Sequence, residues 1–357
     1  MGSVKGAEQN TYLYTHFGRH ANPKVLYDSK DTQFLYHNVE SLSYTDHAEG
    51  SSDEIDVTFT DQKKNWFYGF WPEKGHELDV YIDYYNWVRP ETLGIFHCGN
   101  FIIDDITISE PGRQMSMKGV SQPAGSAWKE TKVSKTWKKV TVKRIAEDLM
   151  QKYGMTNLYF YGDETVIEEL EQDGETDAAF LESVCEKYGY CLKIYKVGFV
   201  IFKKSIYEDR GVIRTFHGAS EWKDYTFNTT LSGTYTGARI SYTNPKKAKK
   251  QADKDVPSEI EVLVGTEERV LVLSEKCDTE AEAIETAKSK VNKENEKAET
   301  LRFSMMFDPD FVASSNFAVE GVHAKIDGKY FITDVTTQLS SSGLSMSVNA
   351  HKIQERI

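Results

Sequence analysis

A repeat inside the chain is the feature that most constrains its fold. When residues 95–117 are laid over residues 324–346 at a constant offset of 229, six of the 23 pairs are identical. The identical pairs are Gly99 and Gly328, Ile103 and Ile332, Asp105 and Asp334, Thr107 and Thr336, Ser116 and Ser345, and Met117 and Met346. Apolar and polar residues alternate in both stretches, as they do in half-buried strands. The repeat therefore predicts a duplicated β domain.

The alternative is that two unrelated β-hairpins share glycine at their turns and Ile or Val in their strands. Identity at the polar positions Asp105 and Asp334 argues against it, because hairpin geometry does not require these residues. We expect the two aspartates to occupy equivalent places in two superposable barrels. We also expect Gly99 and Gly328 to lie in hairpin turns.

The repeat extends upstream if the first copy carries ten additional residues. Leu78 and Val80 then align with Phe317 and Val319, and the additional segment includes residues 85–90. This segment has no counterpart in the second copy, so the two copies cannot make identical contacts. It brings a group of side chains that we expect to be exposed: Tyr84, Tyr85, Trp87 and Val88.

Hydrophobic periodicity divides the chain into three parts. Period-two alternation marks residues 21–125 as a first β domain. A switch to period 3.6, with helix caps at Thr141 and Thr176, marks residues 126–210 as a small βαββαβ-like domain. Alternation returns over residues 211–357 as a second β domain. The predicted fold class is α+β, predominantly β.

Local signals add detail to these parts. In the middle domain, residues 158–160 and 165–170 are predicted to pair as a hairpin across Gly162-Asp163, and the polar segment 122–132 is predicted to be a linker. In the second β domain a capping box that starts at Thr279 predicts a helix over about 279–297, and residues 245–254 form a lysine-rich loop. Residues 1–20 are an N-terminal arm without an assigned role.

Charge and hydropathy exclude several functions. Acidic side chains outnumber basic ones by 55 to 43, which gives a net charge of −12 and argues against nucleic-acid binding by phosphate neutralisation. No apolar run approaches the roughly 20 residues of a membrane span, and the start MGSVKGAEQN lacks the apolar stretch of a secretion signal. We therefore expect maturation in the cytoplasm and reduced thiols at Cys98, Cys185, Cys191 and Cys277.

Candidate metal ligands are few. His16 and His20 are four residues apart, but no Glu follows His16 and Gly18 disfavours a helix, so a surface pair is the better interpretation. His97 and Cys98 are neighbours in a predicted strand and point to opposite faces, one buried and one exposed. We therefore predict no metal site and no cofactor.

No catalytic motif for acyl transfer, nucleotide phosphate binding or dinucleotide binding occurs. The carboxylate groups Asp104-Asp105 and Glu168-Glu169-Glu171 leave open a peptidoglycan hydrolase, which needs two carboxylates beside a sugar cleft. An aromatic cluster leaves open a carbohydrate-binding receptor protein: Trp66, Phe67, Tyr68, Phe70 and Trp71. Structural roles for both sets are favoured, so we predict no catalytic residue and no enzyme.

The order of motifs resembles the late control protein D family, the baseplate hub proteins of contractile phage tails and tail-like bacteriocins. CGNFIIDDI is similar to the family's G-x-F-x-I-D-x-I strand, with Ile103-Asp104-Asp105-Ile106 as a variant. The stretches that carry the resemblance are SSDEIDVTFTD (51–61), CGNFIIDDI (98–106), VTVKRIAEDLMQKYGM (140–155), ETDAAFLESVCEKYGYCLKIYKVGFVIF (175–202), DTEAEAIETAKSKVNKENEKAETLRFSM (278–305) and DGKYFITDVTTQLSSSGLSMSV (327–348).

The resemblance implies two related tube-type β-barrel domains and a homotrimer, with a tail tube protein above, a spike protein below and other baseplate proteins around it. Six related barrels would join a sixfold tube to a threefold spike, which three chains can do only if each carries two copies. It implies a place in the baseplate of a phage virion or tail-like particle that is assembled in the bacterial cytoplasm, with DNA only as passing cargo and no membrane insertion. We expect an acidic lumen, with Lys246, Lys247, Lys249 and Lys250 away from the channel.

Overall fold

The computed structural model describes residues 18–28, 38–60, 71–87, 89–110, 113–123, 127–243, 259–274, 277 and 279–357. Strands make up 54% of the described residues and helices 17%, which confirms the predicted α+β, predominantly β class. Some predictions lie outside the described residues: those for most of the N-terminal arm with His16, for Val88, for the aromatic residues 66–70 and for the lysine-rich loop 245–254.

Six strands close to the N-terminus form what we call the first unit: β1 (His20–Tyr27), β2 (Val39–His47), β3 (Glu54–Thr60), β4 (Glu77–Tyr85), β5 (Leu93–Ser109) and β6 (Gln114–Val120). They are hydrogen-bonded in the order β1-β4-β5-β6-β3-β2, and all neighbours are antiparallel. The long strand β5 pairs with β4 through its first half and with β6 through its second half. One strand thus serves both halves of the unit.

The middle domain follows with α1 (Ala127–Glu130), β7 (Lys132–Val140), α2 (Val142–Lys152), β8 (Asn157–Tyr161), β9 (Ile167–Thr176), α3 (Asp177–Lys187), β10 (Tyr190–Tyr195), β11 (Gly198–Lys203) and α4 (Lys204–Glu208). Thr141 and Thr176 cap α2 and α3 as predicted, each accepting a backbone N–H. The helices and two small sheets enclose a core of their own. The domain has one strand more than the βαββαβ-like prediction.

Two predictions for this domain are wrong. Strands β8 and β9 do not form a hairpin: β8 pairs in parallel with β11 and β9 pairs antiparallel with β7. Facing residues such as Lys138 and Glu169 carry opposite charges, which favours the β7–β9 pairing. The predicted linker also contains α1, whose Trp128 is buried in the core of the domain.

The remaining elements are β12 (Arg214–His217), β13 (Trp222–Thr229), β14 (Gly237–Thr243), β15 (Glu259–Gly265), β16 (Val270–Ser274), α5 (Glu280–Asn295), a 3-10 helix (Glu296–Ala298), β17 (Glu299–Met306), β18 (Asn316–Glu320), β19 (Gly328–Ser340) and β20 (Gly343–Lys352). Strands β14 to β16 form a separate sheet that α5 covers, and we call these four elements the insert. The capping box of α5 is confirmed, because Thr279 accepts a hydrogen bond from the Glu282 N–H at 3.1 Å.

The other six strands form the second unit, in the order β12-β18-β19-β20-β17-β13. Position by position this order matches that of the first unit. Strand β2 of the first unit pairs with β19 of the second, so the described pairings join both units into one sheet, and one apolar core runs through both. These pairings do not by themselves close either unit into a barrel, and the two-barrel layout stays a prediction.

Candidate functional site

The contact between the two units is an antiparallel pairing of β2 and β19, which we call the seam. It runs from Leu42 opposite Leu339 to His47 opposite Asp334. On its polar side the hydroxyls of Thr45 and Thr336 lie 3.2 Å apart. On its apolar side Leu42 is only 1% exposed. The seam therefore combines main-chain hydrogen bonds with burial of one face.

The two units share β-bulges at equivalent places. In the pairing of β5 with β6 the register shifts between Ile103 and Asp105, and in that of β19 with β20 it shifts between Ile332 and Asp334. Both pairs of positions are related by the offset of 229. Bulges are specific local features rather than general properties of strands. Their coincidence shows that the registers of β5 and β19 match.

A further bulge links β2 to β13. The register shifts between Val39 and Ser41 in β2 and between Trp222 and Asp224 in β13. The facing residues on β3 and β17 match as well, since Phe59 and Thr58 correspond to Met305 and Ser304. Residues of β2 therefore correspond to residues of β13 that are 183 positions later.

Part of the ungapped alignment is wrong. Ser116 is opposite Thr107 in the first unit, but Ser347 rather than Ser345 is opposite Thr336 in the second. The hairpin of β19 and β20 extends two residues further between equivalent positions than that of β5 and β6, so Met117 corresponds to Val348 and not to Met346. Ser116 and Met117 lie in β6, and Ser345 and Met346 lie in β20, but the two pairs do not occupy equivalent positions.

The glycine prediction is wrong for Gly99, which lies inside β5 and not in a hairpin turn. Gly328 is the first residue of β19. Gly99 is opposite Val80 and Gly328 is opposite Val319, so the two occupy equivalent registers. Their φ angles are +133° and +147°, a conformation that favours glycine even within a strand. The positive φ explains why the sequence suggested a turn.

Each unit has an edge that the seam leaves open. By the correspondence above, β13 is the counterpart of β2, and Asp105–Ser109 of β5 is the counterpart of the part of β19 that β2 covers. Among the described residues, no strand pairs with this stretch of β5 on the side away from β6, or with β13 on the side away from β17. We call these two stretches the open edges.

Apolar side chains accompany the open edges. Tyr225 on β13 is 45% exposed, whereas its counterpart Leu42 is buried. Ile108 on β5 is half-buried, whereas its counterpart Thr337 is 1% exposed. Burial of such residues is favourable by about 25 cal/mol for each Å² that is removed from water. The open edges therefore carry apolar side chains that contact with another strand would bury.

A buried charge cluster fixes the middle domain between the units. The ammonium group of Lys193 on β10 contacts the carboxylates of Asp46 and Asp53 in the first unit, and its distance to Asp53 is 3.2 Å. Asp46 also accepts the N–H of Ala313 in the second unit at 2.8 Å. Burial raises the pKa of Asp53 to about 6, because Lys193 offsets the desolvation only in part and Asp46 adds repulsion.

Two further charge clusters hold the same domain. Lys204 contacts Glu49 of the first unit and Glu296 after α5. Burial would lower the pKa of Lys204, but the two carboxylates raise it. At the end of α4, Glu208 bonds to His351 at 2.9 Å and to Arg356 at 2.7 Å. Both units are therefore joined through the middle domain as well as through the seam.

The additional hairpin segment of the first unit was expected to be exposed, and this is wrong for its described residues Tyr84, Tyr85 and Trp87, which are half-buried. Tyr84 lies edge-on to Phe307 of the second unit, with 5.4 Å between ring centroids, and the Trp87 indole donates to the Phe307 carbonyl at 2.7 Å. Both side chains are partly buried against the shared core. The segment is a second contact between the units. The strand patterns in the sequence did not predict this contact.

The face of the central strands opposite the core is rich in Ser and Thr. Asp56 on this face accepts from Ser116 at 2.7 Å, and Asp224 accepts from Ser304 at 2.9 Å. At its regular positions outside the bulges, the described charged residues are acidic Glu54, Asp56, Asp105, Asp224 and Asp334 and basic Lys118 and Arg302. This polar face is net acidic at these positions.

The candidate catalytic carboxylates lie on two different strands. Asp104 and Asp105 lie at the bulge of β5 and are exposed. Glu168, Glu169 and Glu171 lie on β9 of the middle domain, where they are also exposed. Trp71, the described member of the aromatic cluster, is 58% exposed. The two carboxylate groups therefore belong to separate elements, one in the first unit and one in the middle domain.

The potential metal ligands and thiols have structural environments. His97 is exposed and bonds to Asp79 at 2.7 Å, whereas Cys98 is buried, as strand alternation predicted. Cys185, Cys191 and Cys277 are also buried, and burial raises the pKa of the Cys185 and Cys191 thiols. In the described part of the chain, no group of three or more His, Cys, Asp or Glu could hold a metal ion.

No helix of the described residues is long and apolar enough to cross a bilayer.

Sequence comparison finds no matching protein-family model and no matching curated protein. Structure comparison does find relatives of the fold. The 43 kDa tail protein of prophage MuSo2 from Shewanella oneidensis has a TM-score of 0.69 at 12% identity, over 93% of this chain and 98% of that one. A tail protein from Neisseria meningitidis MC58 has a TM-score of 0.70 at 13% identity, over 94% and 97%.

A third similar structure is the E. coli c3393 protein, a component of the type VI secretion system with structural similarity to the T4 bacteriophage tail proteins gp27 and gp5. Its TM-score is 0.55 at 12% identity, over 89% of this chain and 74% of that one. At these identities the similarity is one of fold. The chain has the fold of phage tail proteins.

Proposed function

We propose that this chain is the central hub of a contractile tail baseplate, of the late control protein D type, and that it acts as a homotrimeric adapter between a sixfold tail tube and a threefold spike. The observation that carries the proposal is the same six-strand order in both units of one chain. The fold similarity to tail proteins supports it.

The duplication is what such an adapter needs. A ring with threefold symmetry has three copies of any single surface, so it matches a sixfold tube only when each chain offers a surface twice. The two units provide that repetition through β5 and β19 with their matching bulges. The insert and the middle domain occur once per chain, and they would give the threefold spike and other baseplate proteins distinct surfaces.

The polar face of the central strands would line the lumen. Its acidic excess would repel phosphate groups, and its hydroxyl side chains would offer weak hydrogen bonds to passing cargo. DNA would then be cargo and not a ligand. The chain would work without catalysis, within a phage virion or a tail-like particle that assembles in the bacterial cytoplasm.

The test is to measure mass and particle incorporation together. We expect the purified chain to be a trimer by light scattering, or to become one when the spike protein is added, and to be found in assembled tails. A chain that stays monomeric with its spike and is absent from tail particles would contradict the proposal. In a trimeric structure, a basic lumen would contradict the cargo argument alone.

A further inference from the structure

Three neighbouring strands of the first unit present a mixed apolar and acidic face to solvent. The antiparallel pairings place Asn22 of β1 opposite Asp83 of β4, and Asp83 opposite Ile95 of β5. Directly opposed residues of antiparallel strands have their side chains on the same face of the sheet. Val80 and Ile82 of β4 point into the core, so Asp83 and Ile95 point away from it. We call this face the outer patch, with the members Lys24, Tyr81, Asp83, Tyr85, Leu93 and Ile95.

Two aliphatic side chains dominate the surface of the outer patch. Leu93 is 53% exposed and Ile95 is 63% exposed. They are two residues apart on β5, so they are neighbours on one face. Tyr85 lies opposite Leu93 and is half-buried. A contiguous group of exposed apolar side chains with polar residues around it is typical of a surface that binds another protein.

The carboxylate of Asp83 lies at the centre of this patch without a counter-ion. Its side chain is half-buried, and in the described part of the chain it has neither an ion pair nor a hydrogen bond. Burial raises the pKa of Asp83, and Lys24 offsets that rise only in part. A carboxylate that loses water without gaining a partner is unfavourable. A cation from another molecule would supply the missing partner.

The side chains around Asp83 favour arginine as that cation. The ring of Tyr81 already packs against the chain itself, because the Lys24 ammonium lies 5.7 Å from its centroid and His97 stacks on it at 4.4 Å. Tyr85 lies two residues from Asp83 on the same face of β4. A guanidinium group can bind both oxygens of a carboxylate and stack on an aromatic ring, while its apolar stem covers an aliphatic side chain.

We propose that the outer patch binds an arginine of another tail protein, with the guanidinium on Asp83 and with apolar neighbours of that arginine on Leu93 and Ile95. The inference rests on the proposed function, because it places the partner in the same tail particle. The second unit lacks such a patch: the offset of 229 places Ala324 at the position of Ile95, and Ala324 lies between β18 and β19. The patch therefore occurs once in each chain, and a trimer would bind the partner at three places and not at six.

Photo-cross-linking in assembled tails identifies the partner segment. Ile95 is replaced by p-benzoylphenylalanine, the tails are irradiated, and the joined peptides are sequenced by mass spectrometry. We expect a product with one other tail protein, joined within a few residues of an arginine. The same replacement at Leu231, which is 71% exposed, is the control and should not give this product. No product at Ile95, or a product with a segment that lacks arginine, would overturn the proposal.

A neutral substitution separates recognition from folding. Asp83→Asn keeps the size of the side chain and removes its charge, so the yield of the Ile95 product should fall about tenfold or more. The thermal midpoint of the isolated chain should stay the same or rise, because an unpaired, half-buried charge is lost. Asp173→Asn changes an exposed carboxylate on β9 and should leave the yield unchanged. Equal yields for Asp83→Asn and the parent chain would contradict the role of Asp83.

The outcomes also separate this inference from the proposed function. A chain that is trimeric and present in tails, but gives no arginine-containing product at Ile95, would overturn the outer patch and leave the hub proposal standing. A chain that neither trimerises nor enters tails would remove both. An arginine-containing product that Asp83→Asn diminishes and Asp173→Asn does not would support both.

Discussion

The first and second units have the same strand order but differ at their outer strands. Strand β1 pairs with β4 antiparallel, whereas β12 pairs with β18 in parallel. The bulges of β5 and β19 coincide, although only part of the sequence around them does. The comparison teaches that the strands at the seam and at the open edges are alike, while the peripheral elements have diverged. We interpret the shared strands as ring-forming and the divergent elements as specific to one partner.

The largest expected effect concerns a feature of the first unit that the second lacks. Lys193→Met removes the cation between Asp46 and Asp53, and the position equivalent to Asp46 is the exposed Thr229. Breaking a buried ion pair on one side costs about 3–5 kcal/mol, so urea denaturation should show such a loss. Lys196→Met removes a partly exposed pair with Glu77 and should cost about 1 kcal/mol or less. Similar losses for the two variants would contradict the cluster's role.

A second prediction compares equivalent residues at the seam and at the open edge. Leu42→Ala should lower the free energy of unfolding by about 2–5 kcal/mol, because Leu42 is fully buried. Tyr225→Ala at the equivalent place should cost the isolated chain about 1 kcal/mol or less, since Tyr225 is half exposed. Thermal unfolding of both variants at a concentration below that of trimer formation measures the difference. A loss for Tyr225→Ala as large as that for Leu42→Ala would mean that its edge is already covered within one chain.

A third prediction is that equivalent glycine substitutions in the two units lower the free energy of unfolding by similar amounts. Gly99→Ala and Gly328→Ala each place a side chain at a positive φ and should each cost about 1–3 kcal/mol. The nearest atom to the new methyl group would be Lys352 Cε at 2.6 Å for Gly328 and Phe101 Cζ at 3.4 Å for Gly99, and the lysine end can move aside. Gly211→Ala, where nothing lies within 4 Å, is the control. In chemical denaturation, the two strand variants should have similar free energies of unfolding, and both values should lie well below that of Gly211→Ala.

A fourth prediction concerns pH. The pKa of Asp53 is about 6 in the folded chain and about 3.9 in the unfolded chain, so the folded state holds more protons between these values. The contribution of Asp53 to the free energy of unfolding is therefore present at low pH and is lost as the pH rises from about 4 to 6. Asp53→Asn should remove this loss. Over that pH range the free energy of unfolding of the variant should therefore rise by about 1–2 kcal/mol relative to that of the parent chain. Parallel stability profiles of variant and parent would contradict the shifted pKa.

The smallest effect distinguishes the two repeat aspartates. Asp334 accepts hydrogen bonds from the Asn349 side chain and from Thr333, whereas Asp105 is exposed. Asp334→Ala should therefore cost about 1–2 kcal/mol, and Asp105→Ala should stay within about 0.5 kcal/mol. Differential scanning calorimetry of the pair is sufficient. A larger effect for Asp105→Ala would show that the two positions differ in a way that the register does not capture.

Much of the fold could be predicted from local patterns. Helix caps at Thr141, Thr176 and Thr279 were identified because their chemistry lies within four residues of sequence. The partner of a strand is not encoded locally, since period two indicates a strand but not its neighbour. The hairpin predicted for β8 and β9 failed for that reason. The ungapped alignment of Ser116 failed because the hairpin of β19 and β20 is longer than that of β5 and β6.

The candidate site was only partly accessible from the sequence. The repeat pointed to β5 and β19, of which β19 forms the seam and β5 carries an open edge. The sequences of β2 and β13 show no clear identity, and the equivalence of these two strands appears only through the shared bulge opposite Phe59 and Met305. The cluster around Lys193 joins residues more than a hundred positions apart, and no spacing motif announces it.

Because the seam joins two parts of one chain, it forms as an intramolecular reaction. The middle domain acts as a folded, ion-paired tether, so each β2 meets its β19 at a high effective concentration that dilution cannot lower. In the proposed ring, only the contacts between chains depend on protein concentration. Under mechanical load during contraction, the ring should therefore open first between neighbouring chains, and its fragments should be whole chains and not single units.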